Sequence, residues 1–323
     1  MDDPASKPPA LGGCAARPEG RSVDLICGDT VRLGGHLWTV TGTVRAQAII
    51  NPATGVPARY YHRYARFLAQ SGIETLTYDY RGIGASRPER LAGCGYRWRH
   101  WGERDFEAAL TFMADRRDAP LLVVGHSIGG FLPGFAPSAP RLTRILTVGA
   151  QYAWWKEYAE DRRALLFLKW HLVMPLATAL YGYFPGKRLG WLEDLPAGVA
   201  NEWSFRRARM ELSYPPAERA AILARFAAVT APILAVTPFD DDYAPLKAVR
   251  RTLTYFRGAA STAVVLQPQH LAATTVGHFA LFHERFLPTF WKGTLEWLLE
   301  GRNPWGAAPR NTSPVAEAQA LRS

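Results

Sequence analysis

Eight short apolar runs punctuate this chain, and from the third onward nearly every one is followed by an amphipathic stretch. The runs are VDLIC (23–27), VRLGGHLWTV (31–40), AQAII (46–50), ETLTYDY (74–80), PLLVVG (120–125), RILTVG (144–149), PILAVT (232–237) and TAVVLQ (262–267). A Gly-Asp turn between the first two makes them a hairpin. The stretches RYYHRYARFLAQSG, ERDFEAALTFMADRR, PPAERAAILARFAAV, YAPLKAVRRTLTYF and ERFLPTFWKGTLEWLLEG carry apolar residues at helical spacing. Apolar strands alternating with such helices predict an α/β fold, a mostly parallel eight-stranded sheet covered on both faces. Sites in sheets of this kind gather at the carboxyl ends of the strands.

The alternation breaks once, between RILTVG and PPAERAAI, for far longer than an ordinary αβ connection. Residues 151–214 are therefore read as an inserted helical cap on a core formed by 22–150 and 215–302. Residues 1–21 and 303–323 lack hydrophobic periodicity and are rich in Pro, Ala, Gly, Ser and Arg, the composition of disordered tails. Within the cap, ALLFLKWHLVMPLATALYGYF (164–184) is long enough to span a bilayer. Lys169, His171 and Pro175 near its middle argue against stable membrane insertion and for two short helices over something apolar.

Composition narrows the classes of partner. The net charge of +10 comes mainly from 32 arginines against 6 lysines, spread along the chain without a basic stripe or a nucleic-acid motif, so nucleic acid is not an expected partner. Cys14, Cys27 and Cys94 are too scattered for a metal cage or a disulfide framework. The first residues, MDDPASKPPALGG, have neither the basic nor the apolar region of a secretory leader, which makes the cytoplasm the simplest address.

One motif carries chemistry. Gly125-His126-Ser127-Ile128-Gly129 fits G-x-S-x-G where an apolar strand ends. A nucleophile on a sharp strand-to-helix turn needs little bulk on either side, and the turn aims the Ile128 N–H and the ensuing helix at a developing oxyanion. Three further stretches accompany it: DYRGIGAS (79–86), INPATG (50–55), and TPFDDDYAP followed by VGHFALF. With them the chain resembles the serine hydrolases of the α/β-hydrolase superfamily, in the branch of monoglyceride lipases and serine aminopeptidases. The resemblance extends over about residues 22–300, the cap matching by position only. RGIGAS is not a dinucleotide fingerprint, because Arg87 stands where the third glycine belongs.

The resemblance implies an α/β-hydrolase fold and a triad in the chain order Ser, acid, His. Ser127 is the nucleophile. Among Asp240, Asp241 and Asp242 the family's spacing to the next proline, here Pro245, selects Asp241, with its neighbours as alternatives. His278, on the loop before the last helix, is the base in preference to His270 and His283, and His126 is structural. Backbone N–H groups of Ala53 and Ile128 form the oxyanion hole, with Thr54 as an alternative, because Asn51-Pro52-Ala53 replaces the usual His-Gly and Pro52 has no N–H. The expected activity is cleavage of a carboxylic ester, or an amide, of an apolar acyl or alkyl group through an acyl-enzyme, with no metal or organic cofactor. The aromatic cap suggests medium-chain esters. An aminopeptidase, which would use cap carboxylates to hold an ammonium, an acyltransferase and a silent ligand-binding scaffold are the alternatives.

Overall fold

The computed structural model describes residues 19–306. The tails expected at 1–21 and 303–323 fall almost wholly outside that range, and the first strand already begins at Gly20. The strands are β1 (Gly20–Ile26), β2 (Arg32–Trp38), β3 (Ala46–Asn51), β4 (Ile73–Tyr78), β5 (Leu121–His126), β6 (Arg144–Val148), β7 (Tyr183–Phe184), β8 (Leu195–Pro196), β9 (Ile233–Pro238) and β10 (Ser261–Leu266). Eight of them form one sheet in the order β1-β2-β4-β3-β5-β6-β9-β10, while β7 and β8 pair separately. The β1–β2 hairpin is antiparallel and joins β4 antiparallel. From β4 to β10 every pairing is parallel.

The central strands are apolar throughout because both of their faces are covered. Every residue of β3, β4, β5 and β9 is buried, and alternate side chains enter two separate cores. Ile49, Leu76 and Val123 face a core with Trp101, Phe131 and Phe226. Ala48, Ile50 and Val124 face another with Tyr64, Phe282 and Trp291.

Between β6 and the helix Pro216–Ala228 lie β7, β8, the helix Ala197–Ser204 and one long helix. That long helix corrects the expectation of a break at Pro175: it runs without interruption for 19 residues, Arg163–Tyr181. A wider π turn over Leu168–Val173, ending two positions before Pro175, loosens the backbone where the proline ring would meet the carbonyl four residues back. By length and composition the helix could cross a membrane, and 28% of its most apolar window is buried within the protein. Leu166, Trp170, Met174 and Thr178 face inward, whereas Leu165, Leu168, Leu172, Leu176 and Leu180 are exposed.

His62, which opens the helix His62–Gln70, is half-buried beside the rings of His36 at 4.6 Å and Trp38 at 5.0 Å, and its Nε2 has no hydrogen-bond partner. Desolvation, helped by the fields of His36, Arg66 and Arg59, lowers its pKa from 6.5 to about 4. Between those values the unfolded chain binds the extra proton, so this group's contribution to stability is lost as pH falls from 6.5 towards 4. His62→Phe is expected to shrink the stability difference between pH 7 and pH 5 by about 1 kcal/mol, a figure discounted for the ring's residual exposure. Urea unfolding at the two pH values measures it.

Candidate active site

β5 ends at His126, and Ser127 comes next in the left-handed region at φ 54°, a conformation that costs energy in any residue with a Cβ. The flanking glycines answer to close packing. A Cβ on Gly125 would run into the Gly130 backbone, and one on Gly129 into the carbonyl of Asn51. Past the serine the chain makes two short 3-10 turns, Ser127–Gly130 and Leu132–Phe135, in place of the continuous helix expected. Pro133 cannot serve as an internal helix donor, and Gly134 lies so close to the Phe226 ring that any Cβ would collide with it. The Ile128 N–H therefore has no long helix, and no macrodipole of one, behind it.

The acidic loop after β9 sorts its three aspartates by partner. Asp241 accepts from His278 Nδ1 at 2.8 Å on Oδ2 and 3.0 Å on Oδ1, and from the backbone N–H groups of Tyr243 and Ala244, both at 2.9 Å. Asp240 instead accepts from the backbone N–H groups of Val276 at 2.8 Å and Gly277 at 2.9 Å, pinning the loop that carries the histidine. Asp242 is partly exposed and pairs with Arg162 at 3.3 Å. Beneath the His278–Asp241 pair lies Gly149, at φ 55°. A Cβ there would sit 2.8 Å from Asp241 Oδ2 and 3.0 Å from the imidazole.

Ser127, His278, Ile128 and Ala53 line one cleft of about 160 Å³. The Ser127 hydroxyl accepts from Gln151 Nε2 at 3.4 Å, and among the described residues no hydrogen bond joins it to His278. In enzymes without substrate such contacts are often long and tighten on binding. His270 caps its own short helix, its Nδ1 3.1 Å from the Gln267 N–H, and neither it nor His283 lines the cleft.

His126 belongs to a relay behind the site. Its Nε2 contacts the carbonyl of His278 at 2.9 Å and its Nδ1 the Tyr61 hydroxyl at 2.7 Å, and the hydroxyl accepts from Ala53 N–H at 3.0 Å. A carbonyl acceptor fixes the proton on Nε2, so Tyr61 donates to Nδ1. Complete burial, with the nearby His278 adding to it, holds His126 well below the usual histidine range. The Ala53 N–H, expected as the second oxyanion donor, is thus engaged by Tyr61. The adjacent Thr54 N–H has no protein partner among the described residues, and Thr54 lines the cleft.

DYRGIGAS proves to be a brace. Asp79 accepts from Ala58 N–H at 2.7 Å and Ala85 N–H at 2.9 Å, and Ser86 Oγ donates to the Asp79 carbonyl at 2.6 Å. Arg81 is clamped by Asp105 at 2.6 Å and Asp29 at 2.7 Å. Asn51 of INPATG ties the turn after β3 to the serine turn, its Nδ2 donating to Gly129 O at 3.2 Å while Tyr78 donates to its Oδ1 at 2.8 Å.

Family comparison agrees with this architecture. A family model described as the alpha/beta hydrolase family matches residues 51–310. The chain belongs to the alpha/beta hydrolase family. Among solved alpha/beta hydrolases it is similar to a soluble variant of monoglyceride lipase from Saccharomyces cerevisiae in complex with a substrate analog, with TM-score 0.62 and 14% identity over 90% of this chain and 98% of that one. It is also similar to the alpha/beta hydrolase GrgF from Penicillium sp. sh18, with TM-score 0.57 and 20% identity over 87% and 98%. An esterase of Pyrococcus furiosus gives TM-score 0.56 and 15% identity over 91% and 96%. No curated protein matches. Ser127 and Asp241 follow the carboxyl ends of β5 and β9, and His278 lies on the loop after β10, the end of the sheet where sites of this fold gather. Among the described residues no group of three or more His, Cys, Asp or Glu converges as a metal site requires.

Two cleft residues, Gln151 and Arg206, carry no motif that marks them in the sequence. Gln151 lies three positions past β6, in a stretch notable only for lacking carboxylates. Arg206 lies in the stretch 151–214, whose acidic and aromatic residues are its conspicuous features.

Proposed function

We propose that this alpha/beta hydrolase is a serine esterase that cleaves a carboxylic ester through an acyl-enzyme on Ser127. The observation that carries the reading is the His278–Asp241 pair, at 2.8 and 3.0 Å, beside a serine held in a left-handed turn on the same cleft. Ser127 Oγ attacks the ester carbonyl while His278 Nε2 takes its proton, and the imidazolium, steadied by Asp241, returns that proton to the departing alcohol. Water then attacks the acyl carbon with His278 as base, releasing the acid and freeing the serine. Ile128 and Thr54 N–H groups are the oxyanion donors in this scheme. Trp170, Trp191 and Trp203, all on the cleft, supply apolar walls for the acyl or alkyl chain.

An aminopeptidase fits less well. Among the described residues no Asp or Glu lines the cleft, and cap carboxylates are engaged elsewhere: Glu157 by Arg251, Glu193 by Lys187 and Asp194 by Arg87.

A fluorophosphonate probe is expected to form a single covalent adduct on Ser127, located by peptide mass spectrometry, in protein that also turns over aryl esters faster than the matching arylamides. Absence of the adduct and of turnover would leave the silent-scaffold reading.

A further inference from the structure

Three arginines are buried among the described residues: Arg81, Arg206 and Arg251. Arg81 is clamped between Asp29 and Asp105, and Arg251 pairs with Glu157. Arg206 has no carboxylate within ion-pair distance among the described residues, although it is only 8% exposed and lines the cleft. Its guanidinium lies over the rings of Trp98 at 4.9 Å and Tyr152 at 5.1 Å and donates to the Tyr152 carbonyl, while its Nε is buried without a partner. The nearest acid by its field, Glu202, is engaged by Trp98 N–H at 3.0 Å and Arg97 at 3.7 Å.

A second cation enters the same cleft. Lys169 Nζ lies 4.5 Å from the Trp170 ring and 4.3 Å from that of Trp191, with no carboxylate in ion-pair contact among the described residues. Burial draws both cations below their usual ranges, and for Arg206 neighbouring tyrosines and Glu202 only partly offset it. A buried charge without a counter-ion is costly, and a bound anion would remove that cost. A planar guanidinium held by aromatic rings is preorganised for bidentate oxyanion recognition.

We propose that the substrate carries an oxyanion group, a carboxylate or a phosphate, on the far side of the scissile ester, held by Arg206 and neutralised further by Lys169. This rests on the esterase reading above and names its substrate class: an anionic ester, with the tryptophans covering the apolar stretch between its two ends.

The test uses the full chain and p-nitrophenyl esters paired by length, the glutarate half-ester against pentanoate and the adipate half-ester against hexanoate, with a third arm ending in a phosphonate. The anionic member of a pair is expected to have the higher kcat/KM by about tenfold or more, and the better of the carboxylate and phosphonate arms identifies the group. Arg206→Met should bring the ratio close to one, Arg206→Lys should restore part of it, and Arg207→Met, an exposed neighbour, should leave it in place. Equal or better use of the neutral esters by the wild type, or a preference that survives Arg206→Met, would overturn the proposal.

Should Arg206→Met fail to fold, titration calorimetry of glutarate and methylphosphonate into Ser127→Ala protein decides. Salt-sensitive binding at one site supports the proposal, and no binding of either at millimolar concentration overturns it. Neutral-ester turnover and the fluorophosphonate adduct report on the serine alone. Their failure with glutarate still bound would reject the esterase and keep the anion site, and the converse would reject the anion site only.

Discussion

Ser127→Ala is expected to lower kcat on an aryl ester by about 10⁶-fold, to the level left by substrate binding and the oxyanion donors. The substitution removes one oxygen and keeps the Cβ, so the left-handed turn at φ 54° is strained to the same degree before and after. Thermal unfolding should then match the wild type within about 0.5 kcal/mol, since the hydroxyl's one hydrogen bond among the described residues, from Gln151 at 3.4 Å, is weak. Steady-state kinetics beside a melting curve measures both. Equal turnover by the two proteins would place the activity outside this serine.

Asp241→Asn should cost about 10⁴-fold in kcat, and its neighbours far less. An amide at 241 would present its NH₂ to the ring or leave Nδ1–H without its charged acceptor, which disfavours the tautomer with a free Nε2 and withdraws the charge that steadies the imidazolium. Asp242→Asn loses only a partly exposed pair with Arg162 and is expected to stay within about twofold. Asp240→Asn keeps one carbonyl acceptor for the two N–H groups of Val276 and Gly277. Its expected effect is a loss of about 1 kcal/mol in stability with a modest fall in rate, as the histidine loop loosens. The ordering 241, then 240, then 242, read from kcat on one ester, checks the assignment. A different ordering would reassign the acid.

The centre of the sheet was legible because its strands are buried on both faces, which writes them as unbroken apolar runs such as PLLVVG and PILAVT. The serine turn was legible for a related reason: Gly125 and Gly129 are where neighbouring backbone comes too close for any side chain. Legibility ended where a contact depends on residues far apart in the chain. Nothing in NPATG reveals that the Ala53 N–H is taken by Tyr61, and three adjacent aspartates look alike until their partners are known. Pro175 predicted a break that a π turn absorbs, because a local rule about proline does not foresee how the preceding turn can widen. The cleft's cations were hidden in a chain with 32 arginines, since charge counts say nothing about which guanidinium lacks a counter-ion.

The bare α-carbon at Gly149, under the imidazole and its carboxylate, has a consequence for how the protein can change. The cleft's other walls, such as Trp191 and Leu192, can change in size without touching the His278–Asp241 contact. Position 149 has no such latitude. Even a methyl group would wedge the imidazole away from the carboxylate that faces it, so a library randomised at this position should return active clones carrying one residue only.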